Sequence, residues 1–592
     1  MMINCFGFLF LIFLPWSNSV ILDVPGYATI KGGMMESFLE DKPIYSFFGL
    51  RYAQEPTIET RFKPPVPIGQ YPDDIVINAT FYGPRCLQGS DGKEDCLLLN
   101  VFTPELPNGT DPNIPVMFWI HGGSFTSGET LIYSPFALLD HRVVLVVIQY
   151  RLGPQGWLYL GTDDLPGNAG LYDMIEALRW VQKHIRAFGG DPNSVTIFGE
   201  SAGGASVGLL MLCEPARGLF HRVIGHSGSA MVPWATDEDP IPKTIRIAEI
   251  AGCPIDNEIA MVQCLKTMDQ HALSKARNRQ ENEDRLNDKI GFGGASAVVQ
   301  RSGGIYEPLI TAHPSELLAS GNYINDVPVM FGANKHEGSF VLSVVWEDNL
   351  VPLNRTNDYE FLKTGIVPVL ISMINGRDAT EEEIQAAYEY FLPNVELGYF
   401  DKMMPGLVDM TGVLFIKQGA LDTVRLHHKF NQDSFLYSFN YEGRYSLGPF
   451  LIGDIPEIPY GVTHADELIY IYSLIPLLYN DTEEYITTRM TTLWTNFATY
   501  GNPTPDGIEL PADVEKWLPY TDENPNWMSL DLSFTSEVDY TTTFTVAVDE
   551  NFGSKKRKEI DIDLKQVLPF IPEGDEDYRF FKKSYLTPGD KL

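Results

Sequence analysis

The chain is short of positive charge. Its 592 residues include 43 Lys and Arg against 78 Asp and Glu, which gives a formal net charge of −35 at pH 7. Proteins that bind nucleic acid contact the phosphate backbone with clustered Lys and Arg side chains. We therefore expect no nucleic-acid partner. The apolar fraction of 44% is that of a globular protein and excludes a largely disordered chain.

Cysteine is scarce as well, with 6 residues in the whole chain. No Cys-x-x-Cys pair and no Cys/His cluster occurs, so the sequence predicts no metal site, and no motif indicates a cofactor. Cys86 and Cys96 lie close together in the sequence, as do Cys253 and Cys264. Cys213 ends an apolar run, and we expect it to be a buried free thiol.

Long hydrophobic runs are missing beyond the first twenty residues. No later stretch reaches the roughly 18 apolar residues of a transmembrane helix, so we predict no membrane span in the mature chain. The apolar stretch from Cys5 to Leu14, followed by Pro15 and small residues, is typical of a signal peptide. Removal of residues 1–19 and secretion are therefore predicted. Four Asn-x-Ser/Thr sequons are then candidate glycosylation sites: Asn78, Asn108, Asn354 and Asn480.

What the chain does contain is a series of short β-branched apolar runs separated by longer mixed segments. Five runs are predicted to be buried strands: residues 116–120, 143–148, 195–198, 327–331 and 434–439. Apolar residues at helical spacing predict a helix over 171–181, and the charged segment 276–289 is expected to be a solvated helix or loop. This alternation predicts the α/β class, with a central, mostly parallel twisted sheet covered by helices on both faces.

The third predicted strand leads into a candidate nucleophile. Gly199-Glu200-Ser201-Ala202-Gly203 has the pattern Gly-x-Ser-x-Gly between a strand and a helix. A Ser on such a sharp turn projects its hydroxyl above the sheet, and the flanking glycines remove side chains that would clash. The N–H of Ala202, at the helix N-terminus, would face a developing oxyanion.

A glycine-rich loop supplies a second, independent signal. His121-Gly122-Gly123-Ser124-Phe125 follows the strand that begins at Val116. A loop after an early strand can present backbone N–H groups to the same oxyanion. The two motifs together favour acyl-transfer chemistry at Ser201.

A serine nucleophile needs a general base and an acid that orients the base, and on this fold the chain order is Ser, acid, His. Among eight later histidines, His464 lies in a loop after the last predicted strand, whereas His427 and His428 lie in a helix-like segment before it. Glu337 follows a predicted strand, at the edge where catalytic groups gather in open α/β sheets. His336 is a rival base, but no candidate acid would then precede it.

These residues support a family resemblance. The chain resembles the type-B carboxylesterase family, the cholinesterase-like branch of the α/β hydrolases, and within it a secreted invertebrate-type carboxylesterase. The resemblance covers the chain from about residue 21 to residue 550. It rests on five motifs: Phe-Gly-Glu-Ser-Ala-Gly-Gly at 198–204, Glu-Asp-Cys-Leu-Leu-Leu-Asn-Val at 94–101, Gly-Asn-Ala-Gly-Leu-Tyr-Asp at 167–173, Gly-Ala-Asn-Lys-His-Glu-Gly at 332–338 and Gly-x-x-His at 461–464.

The resemblance implies a division of the chain and a role for each site residue. It implies one α/β-hydrolase domain over residues 20–550, with 551–592 left as a partly charged tail. It implies a triad of Ser201 as nucleophile, Glu337 as acid and His464 as base. It also implies an oxyanion hole made by the N–H groups of Gly123, Ser124 and Ala202, and disulfides Cys86–Cys96 and Cys253–Cys264.

The sequence also departs from the family. Ser124 stands where a third glycine is usual, and Lys335-His336 stands where Lys-Asp is commoner. The loop from Leu87 to Asp95 has no aromatic residue, whereas cholinesterases carry there a Trp that stacks on the choline ammonium. Cholinesterase activity is therefore not expected. Insect juvenile hormone esterases typically have Gln where Glu200 stands, so an assignment to that group is weakened but not excluded.

The prediction is a serine carboxylesterase that hydrolyses small or lipid-like esters through an acyl-enzyme. One alternative is a catalytically silent adhesion or binding protein on the same fold, as in neuroligin-like relatives, although all three triad candidates are present. A second alternative is a lipase acting on long-chain esters. Four residues are candidates for an apolar gorge, or are plain core: Phe340, Trp346, Met403 and Met404. No pattern specifies an oligomeric state.

Overall fold

The structure, a computed structural model, describes residues 19–289, 295–321, 325–474, 479–550 and 552–553. Most of the predicted signal peptide, 1–19, and of the predicted tail, 551–592, lies outside these described residues. The strands are β1 (Val20–Val24), β2 (Ala28–Glu36), β3 (Pro43–Arg51), β4 (Val76–Asn78), β5 (Leu98–Thr103), β6 (Ile114–Ile120), β7 (Val144–Ile148), β8 (Gly190–Glu200), β9 (Arg222–His226), β10 (Thr236–Asp237), β11 (Ala297–Val298), β12 (Val329–Asn334), β13 (Ser434–Phe439), β14 (Asn526–Leu530) and β15 (Phe534–Val538).

One large sheet organises the chain, in the order β1-β2-β3-β5-β7-β6-β8-β9-β12-β13-β14-β15, with β4 added beside β2. The seven central strands, β7-β6-β8-β9-β12-β13-β14, are parallel to one another. The strands at both ends of the sheet pair antiparallel. The predicted, mostly parallel sheet is therefore confirmed, and its parallel centre holds every strand on which the site prediction rests.

Helices cover this sheet on both faces. They are α1 (Gly153–Trp157), α2 (Ala169–His184), α3 (Ala202–Met211), α4 (Pro240–Ile250), α5 (Glu258–Thr267), α6 (Gln270–Leu286), α7 (Pro314–Ser320), α8 (Glu337–Val345), α9 (Tyr359–Thr364), α10 (Ile366–Asn375), α11 (Glu381–Phe391), α12 (Phe400–Gly412), α13 (Gln418–His427), α14 (Gly448–Leu451), α15 (Leu468–Ile471), α16 (Asp481–Tyr500) and α17 (Val546–Asp549). Two π-helical turns, Trp346–Leu350 and Val413–Lys417, extend α8 and join α12 to α13.

Strand β6 illustrates how the core lies on both sides of the sheet. Val116, Phe118 and Ile120 belong to the apolar cluster shared with α2, α3 and α12, whereas Met117 and Trp119 belong to the cluster shared with α16. Successive strand residues point to opposite faces, so a run without polar residues is what a two-sided core requires.

Most predicted elements agree with the structure, with two differences. Strand β12 begins at Val329, after Pro328, which has no backbone N–H to donate to a ladder. The charged segment 276–289 lies largely in α6 but is not fully solvated, because the Arg277 side chain is 3% exposed and pairs with Glu281 one turn on. An ion pair of this kind makes burial of a charged residue tolerable.

The cysteines are placed as expected. Disulfides join Cys86 to Cys96 and Cys253 to Cys264, and Cys213 is a buried free thiol. Along the described ranges, no helix combines the length and the apolar character needed to cross a membrane.

Candidate active site

Ser201 lies on a strained turn between β8 and α3. Its φ is 55° and its ψ is −120°, a conformation that L-residues rarely adopt. A Cβ added at Gly199 would come within 2.6 Å of the Ile120 carbonyl oxygen, and one added at Gly203 within 2.0 Å of it. Both glycines of the motif are therefore required by backbone contact. The Ser201 N–H donates to the His226 carbonyl over 2.9 Å, which ties the turn to β9.

The predicted base and acid are in direct contact. His464 Nδ1 lies 2.7 Å from Glu337 Oε2, and both side chains are almost completely buried. Glu337 is the first residue of α8, three residues beyond the end of β12, and His464 lies in the loop after β13. The carboxyl ends of neighbouring parallel strands thus bring together two residues 127 positions apart in the chain.

Glu337 is held by two further donors. The Ser227 hydroxyl donates to Oε1 over 2.5 Å, and the Asn334 N–H donates to the same oxygen over 2.7 Å. Oε1 therefore has two donors, and Oε2 faces the imidazole. These contacts fix the orientation of the carboxylate.

The other imidazole nitrogen faces the residue that precedes Ser201. His464 Nε2 lies 3.0 Å from Glu200 Oε1. Both Ser201 and His464 are described by the structure, and Ser201 Oγ makes no hydrogen bond to His464 Nε2. In enzymes without bound substrate, a catalytic hydrogen bond often forms only in the substrate complex. Since Glu200 is adjacent to Ser201 and contacts Nε2, the imidazole lies beside the nucleophile turn.

The buried carboxylates change the titration of this imidazole. Burial alone lowers the pKa of His464, but the charges of Glu200 and Glu337 outweigh burial and raise it above its ordinary value. Burial raises the pKa of Glu200, and the nearby His464 opposes that rise. The pKa of His464 therefore depends on Glu200 as well as on Glu337.

Replacing Glu200 with Gln should move the pH profile. The predicted base, His464, must be unprotonated to accept a proton from the predicted nucleophile, so we expect activity to fall as the pH drops through the pKa of His464. The substitution removes a negative charge that favours the imidazolium, so that pKa falls. We expect the acidic limb of kcat/KM to shift by about one pH unit or more toward lower pH. Glu214→Gln, at an exposed carboxyl paired with Arg217, is the control; a profile unmoved by Glu200→Gln would contradict the coupling.

The glycine-rich loop passes directly beside Ser201. A Cβ added at Gly122 would lie 3.0 Å from Ser201 Cβ and 2.5 Å from Glu200 Oε2. Gly123, Ser124 and Phe125 have φ values of 104°, 54° and 58°, so Ser124 occupies a left-handed conformation that favours glycine. Within the described chain, the N–H groups of Gly123, Ser124 and Ala202 donate to no protein acceptor. They are available to an oxyanion.

Several residues of this site were not predicted from the sequence. Ser227 and Asn334 support Glu337, and Asn334 Nδ2 also donates to Glu467 Oε2 over 2.6 Å. His226 Nδ1 lies 3.5 Å from Glu467 Oε1. The Trp494 Nε1–H donates to His226 Nε2 over 2.9 Å. Asn334 and Glu467 stand within three residues of the predicted acid and base, and that proximity was the available signal.

The remaining predicted residues take different positions. Phe340 lies against the His464 ring, with ring centroids 4.9 Å apart. Trp346 packs on Phe400, and Met403 and Met404 are buried in the core, so the core interpretation suits these three. The aromatic-free disulfide loop contacts the loop beyond Phe125, since Gln88 exchanges two hydrogen bonds with the backbone of Gly128.

A serine on a strand–turn–helix elbow, with an acid–histidine pair at the carboxyl ends of later parallel strands, defines an α/β hydrolase. Comparison with known proteins agrees. Residues 18–547 match the model of the Carboxylesterase family. The chain is 33% identical to Esterase FE4 of Myzus persicae, over 87% of this chain and 89% of that one. It is 30% identical to Venom carboxylesterase-6 of Apis mellifera, over 90% and 93%. It is 31% identical to Bile salt-activated lipase of Bos taurus, over 77% and 75%.

The protein therefore belongs to the carboxylesterase family, and it is a carboxylic ester hydrolase.

Proposed function

We propose that the protein is a serine carboxylesterase that forms an acyl-enzyme on Ser201. The observation that carries the proposal is the His464 imidazole, which contacts Glu337 through Nδ1 and reaches the nucleophile turn through Nε2. In this proposal, His464 is the proton acceptor for Ser201, and Glu337 is the anion on the far side of the imidazole. Both are what an alcohol nucleophile needs at neutral pH.

In the first half-reaction, Ser201 Oγ attacks the ester carbonyl carbon and its proton passes to His464 Nε2. The carbonyl oxygen becomes an oxyanion that accepts from the N–H groups of Gly123, Ser124 and Ala202. The imidazolium, stabilised by Glu337, then gives its proton to the departing alkoxide, and an alcohol leaves. In the second half-reaction, water attacks the acyl-enzyme, His464 takes its proton, and the carboxylic acid is released as that proton returns to Ser201.

A lipase acting on long-chain esters is the second candidate. It is favoured by the similarity to Bile salt-activated lipase and by the Phe340 ring, an apolar surface beside His464. The two candidates share their chemistry and differ in the acyl chain that the site accepts. The acyl-chain optimum therefore separates them.

We further infer that the protein is a secreted glycoprotein. The signal-like first residues support this, as does the similarity to an esterase named for venom. The four sequon asparagines are all exposed, so each amide is accessible in the folded domain. Asn78 Oδ1 also accepts from the hydroxyl of Thr80, the third residue of its own sequon.

The test uses full-length protein expressed in a secreting eukaryotic cell. Protein recovered from the medium, with a mass that falls on treatment with peptide N-glycosidase, would support secretion and glycosylation. Hydrolysis of p-nitrophenyl esters from acetate to palmitate should be observed and should be abolished by a fluorophosphonate. Peptide mass spectrometry should locate the adduct on Ser201. An adduct elsewhere, or folded protein inert toward every ester and the fluorophosphonate, would overturn the serine mechanism.

A further inference from the structure

His336, the residue that departs from the family pattern, joins the two loops that carry the proposed acid and base. Its Nδ1 accepts from the Val462 N–H over 3.1 Å, and its own N–H donates to the Val462 carbonyl over 2.8 Å. Since Glu337 follows His336 and His464 lies two residues beyond Val462, these bonds run beside the Glu337–His464 contact. His336 is 3% exposed.

The chain near its C-terminal end covers this junction from outside. The His336 ring stacks on Phe552, with centroids 4.3 Å apart and planes inclined by 26°. His336 Nε2 lies 3.7 Å from Glu550 Oε2, and Lys335 forms an ion pair with the same carboxylate. We call residues 546–550 and 552 the C-terminal clasp.

Buried charges fix the clasp to the body of the protein. Asp409, in α12, accepts from the N–H groups of Ala547 over 3.0 Å and Val548 over 2.9 Å. Lys417 donates to the Thr543 carbonyl, just before the clasp, over 2.5 Å and to the Lys335 carbonyl over 2.7 Å. The clasp and the loop before Glu337 are thus both held by residues 409–417. This arrangement restricts the His336 ring, which lies between them.

The base loop is shaped around this ring. Gly461 has a φ of 60°, and a Cβ added there would lie 2.4 Å from His336 Nδ1 and 2.6 Å from Phe552 Cε2. Ser339, in the first turn of α8, adds a third connection, because its hydroxyl lies 2.7 Å from the carbonyl oxygens of both His336 and Tyr460. Only a glycine at 461 lets the base loop approach the imidazole this closely.

We propose that His336, held by the C-terminal clasp, is a positioning residue that sets the base loop relative to Glu337 and so aligns His464 with Ser201. The inference rests on the proposed function, since it assigns His464 as the base. Nδ1 of His336 carries the role, because it satisfies the buried Val462 N–H, and Glu550 and Phe552 keep the ring in place. Misplacing a catalytic group by about 1 Å costs on the order of 100-fold in rate.

The test compares two substitutions that separate the ring stacking of His336 from its role as a hydrogen-bond acceptor. His336→Phe keeps a ring to stack on Phe552 but leaves the Val462 N–H without its acceptor. His336→Asn gives up the ring but places an amide oxygen near the position of Nδ1. We expect His336→Phe to lower kcat by about 10- to 100-fold with KM little changed, and His336→Asn to recover most of that loss. Glu550→Gln, which removes the carboxylate beside Nε2 but leaves the ring stacked on Phe552, should give a smaller fall in kcat.

Hydrogen exchange at the Val462 amide supplies a readout that does not need catalysis. The exchange should be faster in His336→Phe than in wild type and should remain slow in His336→Asn. Wild-type kcat in His336→Phe would overturn the inference, as would equal losses in both variants that follow their thermal stability. A wild-type protein without esterase activity would instead overturn the proposed function. Slow Val462 exchange in His336→Phe would show, independently of activity, that His336 does not hold the base loop.

Discussion

Replacing Ser201 with alanine is expected to lower kcat for ester hydrolysis by about 10⁵- to 10⁶-fold. The loss is expected to be large because, in the proposed mechanism, Ser201 and His464 act as one unit, so that removing the nucleophile also leaves the base without a function. The oxyanion donors and substrate binding would still supply roughly 10³-fold over the uncatalysed reaction. Activity on p-nitrophenyl butyrate should be measured on protein cleared of contaminating esterase by fluorophosphonate treatment, which the variant should survive unlabelled.

Ser206→Ala is the matched control. Ser206 lies five residues further along, is fully buried in α3, and donates its hydroxyl to the Ala202 carbonyl over 2.7 Å. Like Ser201→Ala, this substitution deletes one buried hydroxyl. The Ser206 hydroxyl, however, only donates to a carbonyl of its own helix. We expect kcat close to wild type in this variant. A loss below 100-fold in Ser201→Ala would mean that another group attacks the ester.

Local patterns were enough to predict the elements that carry the site. Two apolar runs followed by glycine-rich turns indicated β6 and β8, and chain order then selected Glu337 and His464 from many acids and eight histidines. The strand predictions are confirmed because the constraints on these strands act within a few residues. Ser201 can adopt its positive φ only if its neighbours leave the backbone room, so the glycines at 199 and 203 are visible in the sequence.

The support of the site could not be read in the same way. Ser227 donates to Glu337 across 110 residues, and Asn334 reaches Glu467 across 133, which no local pattern predicts. The burial of Arg277 was missed because α6 has the composition of a solvated helix, and its pairing with Glu281 appears only once the helix is packed. His336 was visible as a departure, but its meaning depends on a chain segment more than 200 residues further on.

Replacing Glu337 with Gln is the second expected large effect, and its direction follows from the asymmetry of the carboxylate. Oε1 accepts from both Ser227 and the Asn334 N–H, so the oxygen of the introduced amide should remain there and its NH₂ group should take the place of Oε2. The NH₂ would then donate to His464 Nδ1, and the imidazole would carry its proton on Nε2. That tautomer cannot accept the Ser201 proton, so kcat near neutral pH should fall by about 10⁴-fold.

A double variant tests this explanation apart from the loss of charge. In Glu337→Gln with Ser227→Ala, one of the two donors that orient the amide is gone, so the oxygen faces His464 for more of the time. The double variant should therefore be more active than the product of the two single effects predicts. Strictly multiplicative losses would show that Ser227 does not set the amide orientation. If Glu337→Gln alone kept wild-type kcat, neither the charge of Glu337 nor its selection of the tautomer would matter to the reaction, and the assignment of Glu337 as the acid would be wrong.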